Sequence, residues 1–392
     1  MKKSLPDFTN TQIAFQAKSD QELKETVWLF EVMNKSWLVD IGSTLTKAAI
    51  FFRLPLVEPV LKRTIFKHFC GGINLLDCQE YIDSLYKHNT LTILHYGAEA
   101  KSTEEDIERT KEELIRSAEL AASNNSVPVI SCKLTALVDN EILERKQSNS
   151  LSSEGDLREY ELFYTRISEI CQRCYELGVG IFIDAEESWM QDAMDEVVNG
   201  LMEQYNKEKV VVYNTYQLYR HGVYDQLVQD HTIAQSKGYK LGAKLVRGAY
   251  MEKERERAKE QGYPSPIHMS KKEVDADFDK SLLFCLDHHE QIAFCCASHN
   301  QESNLLLARE VVERDIRKDH PHINFCQLQG MSDHITFNLA KAGFNVAKYV
   351  VYGPVNEVIE FLIRRAEENK SVTGEMSREL SLVKQEIKRR GL

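Results

Sequence analysis

Two adjacent arginines, Arg364 and Arg365, stand in a stretch whose apolar residues follow helical spacing. Phe361 precedes them by about one turn and Glu368 follows by about one turn, so an aromatic ring and two fixed cations would share one stripe. Guanidinium groups side by side can hold a planar carboxylate by paired, charge-assisted hydrogen bonds. The alternative is a solvated charged stripe in which Arg364 pairs with Glu360 or Glu368.

Polar residues also stand where short apolar, β-branched runs of the chain end. These positions are Lys133; Asp184 with Glu186 and Glu187; Asn214 and Tyr216; Lys244 leading to Arg247 and Tyr250; Ser298, His299 and Asn300; Gln329 and Gly330; and Tyr352. Together with the arginine pair, Lys133, Lys244 and Arg247 would gather positive charge at one mouth, with Asp184 as the clearest counter-charge. Such a mouth is expected to attract a carboxylate or a phosphate-bearing cofactor, because partial desolvation strengthens each attraction.

Each of these residues also has a structural explanation when it is taken alone. His299 could be a core histidine, Lys133 a salt-bridged residue and Asp184 a strand-end cap. Their convergence favours a shared site, although the sequence offers no obvious nucleophile paired with a base and no cluster of metal ligands. Tyrosines, an aromatic and fixed cations indicate chemistry done by a bound cofactor, which the protein orients and surrounds with charge.

Apolar runs alternate with longer amphipathic stretches from residue 91 onward, which predicts strands and helices in series. The predicted strands cover residues 91–94, 127–134, 179–183, 209–213, 240–246, 292–297, 323–328 and 345–351. Eight such units predict an α/β fold, a parallel (β/α)8 TIM-like barrel, because eight strands can close on themselves and leave no edge. In this fold the site lies at the carboxyl ends of the strands. An open doubly wound sheet is the alternative, but no glycine-rich fingerprint follows the first strand.

The predicted organisation has three parts. A helical arm covers residues 1–88, the barrel covers residues 89–370, and a helical tail covers residues 371–392. Charged residues interrupt the apolar run from residue 37 to residue 61, which excludes it as a membrane-spanning helix. This run could lie on a membrane surface, but an arm packed on the main domain is the favoured interpretation.

Composition narrows the classes of function. The net charge of −11 over 392 residues disfavours a nucleic-acid partner, since phosphate binding needs a surplus of lysine and arginine on one face. An odd number of cysteines, scattered through regular elements, indicates a reduced, cytoplasmic compartment. Cys171 and Cys174 lack a second pair of ligands that would complete a zinc site. The histidine pairs 288/289 and 320/322 are not interpreted as metal ligands either, so we predict no metal centre. The oligomeric state stays open.

Five motifs resemble those of the proline dehydrogenases, the flavin enzymes that begin proline catabolism. They are FIDAEE at 182–187, VYNTYQ at 212–217, AKLVRGAYMEKER at 243–255, ASHN at 297–300 and YGPVNEVIEFLIRRAEEN at 352–369. The resemblance covers the predicted barrel, with the motifs in the family's order. It implies non-covalent FAD, oxidation of L-proline to Δ1-pyrroline-5-carboxylate by hydride transfer to the flavin, and transfer of the electrons to a membrane quinone.

The resemblance also implies roles for individual residues. The implied substrate contacts are Lys133, Arg364 and Arg365 at the carboxylate and Leu245, Tyr250 and Tyr352 at the ring. The implied catalytic residues are Asp184, which would order the basic cluster, and Lys244, which would stabilise the reduced flavin. The implied FAD contacts are Asn214, Lys244, Val246, Ala249, Ser270, Lys271, Ser298, His299 and Glu368. Glu99 matches a position that can pair with Arg365 as a gate over bound substrate.

Two positions depart from the family's pattern. His95 stands where the family commonly has an acid, and Phe361 stands where many members have a tyrosine whose hydroxyl borders the substrate ring. The missing hydroxyl bears on tolerance for hydroxylated proline, since a hydrogen-bond partner is worth roughly 1 kcal/mol. Two alternatives therefore stay open: a 4-hydroxyproline dehydrogenase, and a catalytically silent flavin-barrel binding protein. We expect a cytoplasmic location, with peripheral contact to the inner face of a membrane left open.

Overall fold

The structure is a computed structural model that describes residues 5–35, 57–99, 101, 103–371 and 375–392. Most of the run considered for a membrane surface, residues 37 to 61, lies outside these ranges. The described chain divides into two compact units. We call them the central unit, Ala98–Ser298 with Glu302–Phe325, and the terminal unit, Met1–Gly97 with His299–Gln301 and Cys326–Leu392.

The strands are β1 Cys70–Gly72, β2 Leu91–Tyr96, β3 Val129–Lys133, β4 Gly180–Asp184, β5 Val212–Gln217, β6 Leu241–Val246, β7 Ile292–Ala297, β8 Ile323–Leu328 and β9 Val346–Tyr352. Their order in the sheet is β1-β9-β2-β3-β4-β5-β6-β7-β8, with a further pairing of β9 to β8. Parallel ladders join β3 to β7 consecutively in the central unit, and β1 and β2 each pair with β9 in the terminal unit. The predicted α/β fold of the TIM-barrel class is confirmed.

Helices alternate with the strands, as the amphipathic stretches predict. They are α1 Thr11–Ala14, α2 Asp20–Met33, α3 Val57–Leu61, α4 Lys67–Phe69, α5 Gln79–Tyr86, α6 Glu104–Ser123, α7 Asn140–Gln147, α8 Glu154–Leu177, α9 Ser188–Tyr205, α10 Val223–Lys237, α11 Met251–Gln261, α12 Lys271–Asp287, α13 Gln301–Glu313, α14 Asp333–Ala342, α15 Val355–Ser371 and α16 Glu375–Arg390. A π-helical turn, Lys62–Phe66, joins α3 to α4. No helix in the described ranges is long and apolar enough to cross a membrane.

The eight predicted strands are all present, but the fourth was placed too early in the sequence. We predicted residues 209–213, whereas β5 runs from Val212 to Gln217 and is buried along its whole length. Polar residues are tolerated in this strand because helices supply partners. The Asn214 amide donates to Asp195 of α9 at 2.9 Å, and the Tyr216 hydroxyl donates to Asp230 of α10 at 2.9 Å. The strand ends at Gln217. Asn214 and Tyr216, which were predicted to mark its end, lie within it.

The two ends of the chain pack together within the terminal unit. Phe15 and Leu23 from the predicted arm form one buried cluster with Leu382 and Val383 of α16. Arg390 adds hydrogen bonds from its guanidinium to backbone carbonyls of the arm. The short strand β1 also lies in this arm, where the sequence indicated helices alone. The proposed boundaries between arm, barrel and tail remain predictions.

Candidate active site

A buried lysine–aspartate pair lies at the carboxyl ends of the strands in the central unit. Lys133 and Asp184 are register partners on β3 and β4. Lys244 on β6 donates from Nζ to Asp184 Oδ1 at 2.6 Å, and the Ser131 hydroxyl donates to the same oxygen at 2.9 Å. The Lys244 and Asp184 side chains are only 9% and 12% exposed. The two residues predicted to be catalytic are thus held together by a charge-assisted hydrogen bond out of bulk water.

Lys133, the register partner of Asp184, is the centre of a second buried cluster of polar side chains. Its Nζ donates to the Tyr250 hydroxyl at 2.8 Å, lies 3.0 Å from Glu99 Oε1 and 3.7 Å from Glu186 Oε2. We predicted Asp184 as the clearest counter-charge and named no carboxylate partner for Lys133. In the structure two carboxylates balance it, so the central unit carries less net positive charge here than predicted. The gate pairing of Glu99 with Arg365 stays a prediction.

A glycine sets the position of Tyr250. Gly248 has a φ of +145°, a conformation that residues with a side chain rarely adopt. A Cβ at this position would lie 2.4 Å from ring atoms of Tyr219. The chain can therefore turn closely over Tyr219 and carry Tyr250, which is 7% exposed, to the Lys133 ammonium.

Glu186 is the residue in this cluster whose ionisation the fold changes most visibly. Burial raises the pKa of its carboxyl to about 7, and the nearby Lys133 charge only partly opposes that shift. The carboxylate accepts from the Thr135 hydroxyl at 2.8 Å and from the Thr135 amide at 3.2 Å. The sequence placed Glu186 after a strand end but carried no sign that burial would perturb it.

Glu186 is expected to make the stability of the protein fall as pH rises. The carboxyl binds its proton more tightly in the folded chain, so its stabilising contribution is complete below pH 4.5 and is lost as pH rises to about 7. Glutamine at this position cannot ionise. Glu186→Gln is therefore expected to remove a pH-dependent loss in the free energy of unfolding on the order of 3 kcal/mol. Urea unfolding of both proteins at pH 5 and pH 8 measures the difference. Glu176→Gln, at an exposed position, is the control, and equal pH dependence in wild type and Glu186→Gln would refute the assignment.

The structure places the Asn214 side chain on the face of the sheet opposite to Lys244, whose register partner is Thr215. The Asn214 side-chain amide nitrogen donates to Asp195, and its oxygen accepts from the Thr215 backbone amide at 2.8 Å. Because side chains alternate along a strand, Thr215 and Gln217 face the side of β5 opposite to Asn214. Gln217 is buried, donates from Nε2 to the Glu186 carbonyl at 2.8 Å, and leaves Oε1 without a protein partner. Sequence reasoning missed Gln217, although it closes the VYNTYQ motif.

The same alternation places Leu245 away from Lys244. Leu245 is fully buried on the opposite face of β6, so the central unit does not bring it to the Lys133 cluster. Val246 returns to the Lys244 face, where it is the register partner of Gln217, and it is half-buried. Ala249, in the turn after β6, is exposed.

Arg247 is bound at the ends of β6 and β7. Its guanidinium donates to Asp275 at 2.9 Å and to the Ser298 hydroxyl at 2.7 Å. Asp275 Oδ2 also accepts a hydrogen bond of 2.5 Å from Nζ of Lys271, the first residue of α12. Ser270 and Glu273 form a capping box at the start of this helix. Two predicted cofactor contacts, Lys271 and Ser298, therefore bind the Arg247–Asp275 pair, and Ser270 caps the helix that carries Asp275.

The arginine helix is described within the terminal unit. Arg365 on α15 is 7% exposed, and its guanidinium lies 5.3 Å from the centroid of the buried Phe361 ring. The alternative of a solvated stripe is therefore wrong for Arg365, whereas Arg364 is half-buried. Val355, Val358 and Leu362, which belong to the apolar residues at helical spacing, are buried. The predicted contact Glu368 lies outside the residues whose side chains the structure describes.

Two further predicted residues belong to the terminal unit. Tyr352 ends β9, is fully buried, and lies 5.5 Å from Tyr96 between ring centroids. His299 Nδ1 and the Ser332 hydroxyl form a hydrogen bond of 2.9 Å. His95, the departure from the family's acid, is buried against the Tyr349 ring at 5.2 Å. The predicted roles of Tyr352, His299, Arg364 and Arg365 toward ligands remain predictions.

The fold is a (β/α)8 barrel, and strand ends of its central unit carry buried lysine–carboxylate pairs. A family model described as proline dehydrogenase matches residues 78–378. The chain is 31% identical to proline dehydrogenase 1, mitochondrial, of Dictyostelium discoideum over 97% of this chain and 74% of that protein. It is 30% identical to the hydroxyproline dehydrogenase of Xenopus laevis over 96% of this chain and 88% of that protein. The chain belongs to the proline dehydrogenase family, and the prediction of an oxidoreductase of this class is confirmed.

Solved structures show the same fold. Proline utilization A from Bdellovibrio bacteriovorus, inactivated by N-propargylglycine, superposes with a TM-score of 0.75 at 18% identity. The alignment covers 93% of this chain and 41% of that protein. The chain thus spans about two fifths of that larger protein, and the likeness supports the barrel rather than the larger protein's activities.

Proposed function

We propose that this protein uses non-covalent FAD to oxidise L-proline to Δ1-pyrroline-5-carboxylate, the first step of proline catabolism, and passes the electrons to a quinone. Family membership supports oxidation of proline. The observation that carries the finer proposal is the buried Asp184–Lys244 pair beside the Lys133–Tyr250 hydrogen bond, at strand ends where a barrel builds its site. The quinone and peripheral membrane contact rest on the resemblance alone.

The residues of the central unit fit a flavin. Gln217 Oε1 is a buried acceptor without a protein partner, and a ligand with a donor N–H at the end of β5 would satisfy it. FAD, when bound, supplies a two-electron acceptor for the hydride that leaves the proline ring. Lys244 would hold a fixed positive charge beside that acceptor, because Asp184 and Ser131 restrain its ammonium. The further proposed FAD contacts in this unit are Val246, Ala249, Ser270, Lys271 and Ser298, and His299 of the terminal unit is proposed as well.

The substrate would be held by charge and by aromatic surfaces. Arg364, Arg365 and Lys133 are proposed to bind the carboxylate, since guanidinium and ammonium groups form charge-assisted hydrogen bonds with it. Tyr250 and Tyr352 are proposed to border the ring. Lys133 and Tyr250 already hydrogen-bond one another, so binding would act on a preformed pair and lose less conformational freedom.

A 4-hydroxyproline dehydrogenase is the second candidate. The similarity to the Xenopus laevis enzyme over nearly the whole of both chains favours it, and so does Phe361 in place of a tyrosine. Phe361 is buried, and its apolar edge is proposed to border the substrate where many family members have a hydroxyl. The two substrates differ by one hydroxyl, and a hydrocarbon surface discriminates weakly against such an addition.

The absorbance spectrum of the purified protein, with and without substrate, tests these proposals. We expect a yellow flavin spectrum that L-proline bleaches in the absence of oxygen, and a faster initial rate with L-proline than with 4-hydroxyproline. The reverse order of rates would identify the second candidate. A colourless protein would contradict the cofactor, and a flavin that neither amino acid reduces would indicate the catalytically silent barrel. Reoxidation of the bleached protein by a soluble quinone analogue tests the acceptor.

A further inference from the structure

Three histidines and one glutamate meet on two loops of the central unit that precede strands. His289 and Glu290 lie in the loop before β7, and His320 and His322 lie in the loop before β8. The ligand atoms of His289, Glu290 and His320 all lie within 4.8 Å of one another. Glu290 Oε1 is 3.4 Å from His289 Nε2 and 3.7 Å from His320 Nε2. These separations are close to the roughly 3.4 Å between ligands of a tetrahedral zinc ion bound at about 2.1 Å.

Backbone carbonyls fix the rings of two histidines in the form that binds metal. A carbonyl oxygen can only accept, so His289 Nδ1 carries the proton that it donates to Leu286 O at 2.9 Å. His322 Nδ1 likewise donates to the carbonyl of His289 at 2.7 Å, which ties the two loops together. In a neutral ring this arrangement leaves the lone pair on Nε2, and it is the usual support of a metal-bound histidine.

His320 is the ligand that must adjust. The amide of His322 donates to its Nδ1 at 3.2 Å, a long hydrogen bond, so a cation bound at Nε2 would require the other tautomer and would release that bond. Burial and the neighbouring rings of His289 and His322 lower the pKa of His320, which favours the neutral ring that a metal needs. The ring centroids of His289 and His320 are 4.9 Å apart, and the two rings meet edge to face.

We propose that His289, Glu290 and His320 bind one divalent transition-metal cation of the zinc class, which joins the loop before β7 to the loop before β8. Two imidazoles and one carboxylate suit Zn²⁺, Co²⁺ or Ni²⁺, and water would complete the coordination. The sequence alone predicted no metal centre, because neither histidine pair is complete by itself. The fold supplies the third ligand by placing residues 289 and 320 side by side.

This site is separate from the proposed catalytic residues. Its loops enter β7 and β8 at their amino ends, whereas Ser298, His299 and Gln329 follow the carboxyl ends of those strands. In a barrel these are opposite faces, and the amino face contributes to stability rather than chemistry. The nine cysteines are all buried, so thiols do not compete for an added cation.

Calorimetric titration of the chelator-treated protein with Zn²⁺ at pH 7.5 tests the proposal. We expect saturable binding of one equivalent, a rise in Tm, and loss of both effects as pH falls below about 6, where protons displace the metal. His289→Asn, His320→Asn and Glu290→Gln are each expected to weaken the apparent affinity at least tenfold. Glu290 is 75% exposed in its side chain, so its substitution leaves folding undisturbed.

His221→Asn is the matched control. His221 is exposed and lies 4.2 Å from the ring of His268, so it belongs to a second histidine pair outside the proposed site. Zinc binding is expected to be unchanged in this variant. Absence of one-equivalent binding, or binding that survives Glu290→Gln and His320→Asn undiminished, would overturn the proposal. Proline oxidation is not the readout, so the result is independent of the proposed function.

Discussion

Replacing Arg365 by methionine is expected to raise the KM for L-proline roughly ten- to a hundredfold, since a charge-assisted hydrogen bond is worth about 1.5–3 kcal/mol. Arg365 is 7% exposed, and its guanidinium packs over the Phe361 ring. Methionine preserves most of the buried stem, so the flavin spectrum and the Tm are expected to change little. Steady-state kinetics with L-proline measure the effect, and Arg364→Met is expected to act in the same direction.

Arg317→Met serves as the control for removing an arginine. The Arg317 side chain is 72% exposed and pairs with Asp319 on the surface of the central unit. The KM of this variant for L-proline is therefore expected to stay at the wild-type value. An unchanged KM in Arg365→Met would show that the buried guanidinium supports packing only. A fall in kcat at constant KM would instead indicate contact with the transition state rather than with the bound substrate.

The Asp184–Lys244 pair is expected to show strong coupling in a double-mutant cycle. Asp184→Asn leaves the Lys244 ammonium buried without its counter-charge, which is expected to lower the free energy of unfolding by about 3–5 kcal/mol and to abolish turnover. Asp184→Asn combined with Lys244→Met removes both charges and is expected to recover most of that stability, but not the activity. Urea unfolding of the two single variants and the double variant measures the coupling.

The exposed Arg317–Asp319 pair is the reference for this cycle. Its side chains are 72% and 65% exposed, so its coupling is expected to stay below about 1 kcal/mol. A double variant at Asp184 and Lys244 that loses the sum of the single losses would refute the coupling. Full activity in that double variant would remove both residues from the proposed chemistry.

Periodicity predicted the strands well because parallel barrel strands are buried on both faces and read as apolar runs. It failed at β5 because that strand contains polar residues. Asn214 looked like the end of a strand, but Asp195 of α9 gives its amide a buried partner. Tyr216 has the same kind of partner in Asp230. Such partners are distant in sequence, so no local pattern could show that the strand continues to Gln217.

The core face of the arginine helix could be predicted from spacing, but the burial of its arginine could not. Val355, Val358 and Leu362 recur with the period of a helix, and all are buried. Arg365 lies on the charged stripe of the same helix, where an exposed position is the ordinary outcome for arginine. Its burial depends on what surrounds α15 on all sides, which a one-helix pattern does not contain.

The amino-acid sequence determined the class of fold, the strand ends that carry polar residues, and membership of the proline dehydrogenase family, because these depend on periodicity and on local motifs. Tertiary structure alone decided which charges are paired. Lys133 is balanced by Glu99 and Glu186, and Lys244 by Asp184, across separations of tens of residues. Burial, which sets the pKa of Glu186, and the meeting of His289 with His320 likewise arise only when distant segments pack together.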